Sequence, residues 1–476
     1  MSRIARQVLP LHLAVLILAW PLLCFSQGRS AQENVSQDVE ESAQTSESES
    51  SSTDFIYQTL IFDTPVPLRS EADGLLEPEH DQATPRRAAQ RARQAPLPNL
   101  QNLQQTISEI ESEGGPWELN LAENLASLAE VYEQQGAYEE AIDTYTRAMH
   151  ISRVNLGLNS LNHIPLAERL VNAHLALGDW EGADQYQEYL YYNQRRAYGE
   201  DDPRLVPVLH RLANWKLSSF NAGYGDQIAL NLVSALRLYQ AASNIVSINF
   251  GNRDERYVKY LRDTAGTAFL VSRYRGLIES TPMTEFRVIQ ERYPGSYRAH
   301  NAAFVEGYEE GLDALERVVA AYSEEQAGSI EHVTALIHLA DWYLLFDRHR
   351  SAHEAYSEAY AALVGQENRD ELLTAVFGSV KPLPDFSDEI DSIFVEANVK
   401  GRELVARASG HVDVEFDVTP YGTVVDLQVL AEGDEVDARI LSSLRRLVRS
   451  TTFRPVVQDG QPVRSESNRF RYRYVY

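Results

Sequence analysis

Leu128, Leu170 and Leu212 stand 42 residues apart, and each is followed by a small or β-branched residue (Ala129, Val171, Ala213) and then a polar one (Glu130, Asn172, Asn214). A chain that returns to one pattern at such an interval buries its apolar residues by stacking like units, since one unit cannot bury its own face. The first copy, Asn124 to Met149, reads as two short amphipathic helices. Leu125, Leu128, Ala129 and Tyr132 share one helical face; Tyr138, Ala141, Ile142, Tyr145 and Ala148 share another. Gly136 sits at the break, where a left-handed residue ends a helix at least steric cost.

The same offsets return as Ala340, Tyr343, Asp347, Ala352, Tyr356 and Ala359, with Asp in the glycine slot. A weaker copy runs Val171, His174, Gly178, Ala183, Gln187, Leu190, and YEEAIDTYTRA at 138–148 is echoed by YEEGLDALERV at 308–318. This set of small and aromatic positions resembles the tetratricopeptide repeat. The period of about 42 exceeds the usual ~34 and is similar to that of kinesin-light-chain-type repeats. The resemblance implies a helical solenoid whose inner helices line a groove for protein ligands. Glu130, Asn172, Asn214 and Asp341, each directly after a small-residue slot, are the groove candidates it implies; ordinary solvent exposure is equally consistent with the same pattern.

The formal charge of −26 argues against nucleic acid or anionic lipid as the main partner. The one cysteine, Cys24, lies in an apolar leader, so the folded part offers no thiolate nucleophile, disulfide or Cys-based metal site. His349 and His353 have i, i+4 spacing but lack the general-base Glu of HExxH, and surface histidines explain them better. Gly223-Tyr-Gly225 lacks the third glycine and preceding strand of a dinucleotide loop, and no G-x-S-x-G occurs. No cofactor or metal is expected, and the chain reads as a non-enzyme. A catalytic pocket in 221–295, where the repeat pattern decays, is the remaining enzymatic alternative.

Residues 1–26 have the form of an export signal: Arg3 and Arg6, an apolar run, then Ser26-Gln-Gly. An uncleaved anchor over 8–25 is its rival. Residues 27–115 read as a largely disordered linker, acidic and Ser-rich at 36–53 and Arg-containing at 86–93, with Phe55–Leu68 apolar enough to add a strand or dock on a neighbour. The helical array is expected over 116–380, degenerate at 221–295, with a connecting helix in 381–408.

From 409 to 476 the period changes to two. Val412, Val414, Phe416 and Val418 alternate, Pro420-Tyr-Gly422 turns, and Val424–Leu430 makes a second strand. A helix follows with Ala438, Leu441, Leu444 and Val448 on one face. Then come Phe453-Arg-Pro455, the turn Asp459-Gly460 with Pro462-Val463, and a strand carrying Phe470, Tyr472 and Tyr474. This β-β-α-β order with its FxP and GxPV markers resembles the C-terminal domain of the TonB family. The expected fold class is therefore mainly α: a tetratricopeptide-type solenoid followed by a small α+β domain.

That resemblance implies a periplasmic domain that pairs an edge strand with a short peptide of an outer-membrane receptor. The edge it implies is 468–475, with Arg469, Arg471 and Arg473 outward and Phe470, Tyr472 and Tyr474 toward the core. Arg469, Arg471, Tyr472, Arg473 and Tyr474 are thus the strand-addition candidates; arginines that merely solubilise an edge are the alternative. Together the modules point to an envelope adaptor that binds proteins or peptides. A TonB-type transducer held in the inner membrane by 8–25 is the alternative, weakened by the missing Pro-rich spacer.

Overall fold

Small residues at fixed helical offsets dictate most of the architecture, because they let backbones approach until flanking rings close the gap. The computed structural model describes residues 61–62, 65–68, 100–224, 228–281, 306–323, 327–366, 368–387, 409–430 and 436–475. The expected leader or anchor at 1–26, most of the expected linker, and residues 388–408 of the expected connecting helix at 381–408 lie outside them.

Two short strands come first, β1 (Ile61–Phe62) and β2 (Val66–Pro67). Helix α1 (Leu100–Gly114) follows, so the end of the expected linker is helical and buries Ile107. The stack continues with α2 (Asn120–Gln135) and α3 (Tyr138–Leu156), then α4 (Ile164–Ala176) and α5 (Trp180–Tyr198). Next come α6 (Val206–Asn221), α7 (Ile228–Phe250), α8 (Glu255–Arg273) and the short α9 (Arg275–Glu279). Then follow α10 (Gly307–Ser323), α11 (Ile330–Leu345), α12 (His349–Val364) and α13 (Arg369–Phe377). Each helix packs on its neighbours: α2 on α3, α4 on α5, α6 on α7, α8 on α10, α11 on α12. The described part of the zone where the repeat pattern decays, residues 228–281, therefore keeps the helix-pair arrangement.

The small slots do what their spacing implies. Ala129, Ala141, Ala148, Ala183, Ala213, Ala340, Ala352 and Ala359 are all buried, with Tyr145 and Tyr356 filling the space beside them. Gly136 ends α2 at φ 77°, and Asp347 occupies the equivalent position in the last repeat at φ 58°. Helix starts are capped by side chains: Asp179 accepts from the Gly182 N–H, Asp254 from Arg256 and Ser329 from His332.

The C-terminal region supplies β3 (Lys381–Pro382), β4 (Ser409–Val418), β5 (Val424–Leu430), helix α14 (Ala438–Ser450), β6 (Phe453–Arg454), β7 (Val456–Gln458), β8 (Gln461–Val463) and β9 (Ser465–Val475). The main sheet is antiparallel in the order β1-β9-β4-β5, with β2 also on β9. Val412, Val414, Phe416, Val418, Phe470 and Tyr472 face one side and pack on Ile440, Leu444 and Val448 of α14. Ile440 takes the place expected of Ala438, which is exposed. β7 and β8 form a hairpin around Asp459 (φ 48°) and Gly460 (φ 75°), the two positive dihedrals that a two-residue hairpin turn requires.

Candidate protein-interaction surfaces

The first helices of successive pairs are stitched together by arginines that recur with the repeat. Arg169 on α4 donates to Glu130 (2.8 Å) and Glu133 (3.3 Å) on α2, and Arg211 on α6 pairs with Glu168 on α4. Arg169 and Arg211 each directly precede a repeat leucine, so the ladder was written in the sequence as Arg-Leu at 169–170 and 211–212. Glu130, Arg169, Glu168 and Arg211 are about half exposed, so the row is a polar face open to a ligand rather than a core feature, with Glu133 more enclosed beneath it. Burial raises the Glu133 carboxyl above its ordinary range; the Tyr145 hydroxyl that donates to it at 3.1 Å pulls the other way.

The four groove candidates do not share one environment. Glu130 lies in the ladder and Asn172 is exposed one helical turn along from Arg169. Asn214 is half buried, accepting from the Tyr239 hydroxyl at 2.5 Å and lying 3.3 Å from His210 Nε2. Asp341 is the correction. It is fully buried, accepts from the Tyr356 hydroxyl at 2.6 Å, and is held by Arg454 of β6. A residue so enclosed cannot line a groove; it joins the helices to the sheet. The repeat offset located its backbone correctly, but the C-terminal region covers that end of the row.

The joint is extensive. Arg454 also reaches Asp385 at 3.1 Å, and the Leu383 N–H donates to Thr452 O at 2.9 Å beside the β3–β6 pairing. Leu383 and Val457 share a core with Leu336, Tyr356, Leu363 and Phe377 of the last helices. At the β4–β5 turn, Tyr421 stacks on His353 (5.9 Å, 9°) and leans on His349 (4.9 Å). These two histidines thus serve as an aromatic seat for the turn. Among the described residues no group of three or more His, Cys, Asp or Glu is placed to hold a metal ion. Gly422 has φ 75°, and a Cβ there would fall 2.5 Å from Phe453 O, so the turn approaches β6 as closely as only glycine permits.

The C-terminal edge also differs from expectation. β9 is not an edge: β4 pairs along its length on one side, and β1 and β2 pair on the other. Within the apolar stretch 55–68, residues 61–62 and 66–67 supply the strands added to β9. Tyr472 and Tyr474 are buried in the core, so neither side chain can meet a partner; burial pushes the Tyr472 hydroxyl pKa upward. Arg469 and Arg471 face outward but bind Glu415 (2.7 Å) and Asp413 (2.8 Å) across β4. Arg473 is exposed, with no ion-pair partner among the described residues. The other side of the sheet ends at β5, where Asp426 (φ 54°) and the register slip opposite Glu415 and Asp417 form a bulge, a common defence against further pairing.

Two further features escaped the sequence reading. Tyr198-Gly199 and Phe250-Gly251 are each followed three residues after the glycine by an Asp cap (202, 254) and five after it by an arginine. Arg204 chelates Asp202 and lies 4.2 Å over Tyr198; Arg256 chelates Asp254 and lies 4.1 Å over Phe250. The arginine holds the half-buried Asp202 carboxyl down to about 2. This aromatic-Gly-x-x-Asp-x-Arg recurrence marks a repeat boundary inside the stretch that looked degenerate. The second is Lys216, buried between Asp184 (2.7 Å) and Glu188 (2.8 Å) while the Trp215 indole also donates to Asp184.

No family model and no curated protein matches the chain. Among solved structures, it is similar to kinesin light chain TPR-like repeats of Podosopora anserina at 16% identity, covering 53% of this chain and 98% of that one, with a TM-score of 0.30. A single-substitution variant of that protein gives 16% identity, 52% and 96% coverage and a TM-score of 0.30. BtubC (BKLC) of P. vanneervenii gives 13% identity, 63% and 96% coverage and a TM-score of 0.27. The helix-pair stack described above rests on its own packing.

Proposed function

We propose that this chain is a non-catalytic scaffold of the bacterial cell envelope that binds a protein partner along the helical row and a second, extended segment at the C-terminal sheet. The observation that carries this reading is the half-exposed ladder Glu130–Arg169 and Glu168–Arg211, with Asn172 beside it. Exposed ion pairs of this kind contribute only about 0.2–1 kcal/mol each to folding, so their repetition on one face is better explained by recognition than by stability. A partner with alternating charge can exchange partners with the ladder at little cost.

The envelope assignment follows from the leader at 1–26 and from the TonB-like order of strands and helix in 409–476. On this reading the protein is exported to the periplasm, takes no cofactor, and makes its second contact at the C-terminal sheet. Among the described residues no helix is long and apolar enough to cross a membrane.

Charge reversal tests the row. The Arg169→Glu, Arg211→Glu double variant, purified from the native envelope, should keep its helical circular dichroism and lose the proteins that co-purify with the parent. Retention of the same proteins at the same yield sinks the proposal.

A further inference from the structure

We infer that the outward face of α14, built from Arg445, Arg446 and Arg449, is a docking surface for an acidic segment of a partner protein. This surface is neither the polar helical row nor the edge of the sheet.

Helix α14 divides its residues sharply. Ile440, Leu444 and Val448, four residues apart, are buried against the sheet. Ser442, Arg445, Arg446, Arg449 and Ser450 lie on the opposite side, all exposed, and border one open depression. In a chain with a formal charge of −26, the 13 residues of this helix carry four arginines and no Asp or Glu.

Helix stability does not account for the arrangement. Arg445 stands four residues before Arg449 and Arg446 stands three before it, spacings at which like charges repel on a helix surface. A cation in the last turn suits the helix dipole, but that effect fades beyond the turn and so covers Arg449 alone. Four arginines of the sheet are matched: Arg464 to Asp417 and Asp426, Arg469 to Glu415, Arg471 to Asp413, and Arg454 to Asp341 and Asp385. Among the described residues, Arg445, Arg446 and Arg449 have no such carboxylate.

The occupant's chemistry follows from this face. Arginine forks take carboxylates through paired N–H···O bonds. Arg445 and Arg449 lie about 6 Å apart along the helix axis, near the ~6.6 Å between alternate residues of an extended chain. A segment with Asp or Glu at alternate positions therefore matches both. The Ser442 and Ser450 hydroxyls donate to Arg439 O (2.8 Å) and Leu447 O (2.9 Å), which leaves them only lone pairs to offer. Those suit polypeptide N–H groups, which a bare phosphate lacks. A bilayer fits less well. The apolar side chains of α14 face the sheet, its outward side presents serine and arginine, and anionic headgroups repel a chain of this charge.

The probe is a fluorescein-labelled synthetic peptide of five Glu-Thr repeats, followed by anisotropy with the full chain. The parent should bind it about ten-fold more tightly than the Gln-Thr counterpart, and the complex should weaken several-fold between about 50 and about 500 mM NaCl. Arg445→Gln, Arg446→Gln and Arg449→Gln together should lower affinity about ten-fold with unchanged circular dichroism, whereas Arg169→Glu with Arg211→Glu should leave it unchanged. If the triple variant misfolds, Arg445→Gln and Arg446→Gln singly should each weaken binding about three-fold. No peptide binding by the parent, or equal binding by the parent and these arginine variants, overturns the inference. Vesicles of phosphatidylcholine with about 20% phosphatidylglycerol should not bind the parent at the same salt. Vesicle binding that the triple variant loses would assign the face to a membrane and overturn the inference as well.

Discussion

Arg454 and Asp341 lie 113 residues apart in sequence, yet the arginine Nε donates to the Asp341 carboxylate at 2.9 Å with both side chains almost fully buried. Burial alone would lower the Arg454 pKa, but Asp341 beside it outweighs burial and holds the guanidinium firmly charged. The Asp341 charge adds to burial in pushing the Tyr356 hydroxyl upward, against the opposing pull of Arg454. The pair fixes the sheet to the last helix pair.

Breaking one half of a buried pair strands the other charge, at a cost of about 3–5 kcal/mol. Asp341→Asn or Arg454→Met should therefore show a loss of that size in urea unfolding followed by tryptophan fluorescence, with Trp342 adjacent to the break. The double change Asp341→Leu, Arg454→Met should recover most of it, because no uncompensated charge remains. If the double variant were as unstable as the singles, the pair would not be what couples the two regions.

The chain's helical organisation was legible because small residues at Ala129, Ala141, Ala340 and Ala352 have one physical use, which is close helix packing. The sheet was legible because a period of two with Phe453 and Gly460 punctuation leaves few alternatives. Asp341 and β9 were misread for a shared reason. Periodicity reports which face a residue occupies within its own element, but not which distant segment later covers that face. Arg454 and the strands at 61–62 and 66–67 are such segments. The Arg-Leu ladder needed no structure, only a comparison of the residues before each repeat leucine.

Asp347 holds the left-handed position that Gly136 holds in the first repeat, and its side chain is 94% exposed. A β-carbon costs about 1 kcal/mol in that conformation. Asp347→Gly should raise stability by somewhat less than this, since glycine also gains freedom in the unfolded chain. Thermal unfolding reads the change; a lowered midpoint contradicts the assignment.

Gly311 occupies the slot that alanine fills in other repeats, because the Trp342 ring lies where a Cβ would go, 2.1 Å from Cη2. Trp342 is fully buried and cannot retreat freely. Gly311→Ala should cost about 1–3 kcal/mol through overpacking, although alanine is the better helix former. Chemical denaturation showing a stabilised protein would mean that the ring moves aside.

His338 is enclosed beside Phe386, and burial, aided by Arg262, Arg454 and Lys381, holds its pKa well below the ordinary 6.5. The unfolded chain then binds a proton that the folded chain refuses, so stability is full above about 6.5 and falls as pH drops below it. His163 is depressed in the same direction by burial. Urea midpoints at pH 7.5 and 5.5 should differ less in His338→Leu than in the parent. An unchanged difference would place the pH dependence elsewhere.

Site-specific photo-crosslinking in the native envelope tests the scaffold reading most directly. A photoreactive residue at Asn172, beside Arg169, should give a discrete adduct with a protein partner, and Arg169→Glu with Arg211→Glu should abolish it. The same residue at the exposed Gln185, on the second helix of that pair, should give none. Equal adducts from both positions, or an adduct indifferent to charge reversal, would contradict recognition by the polar row.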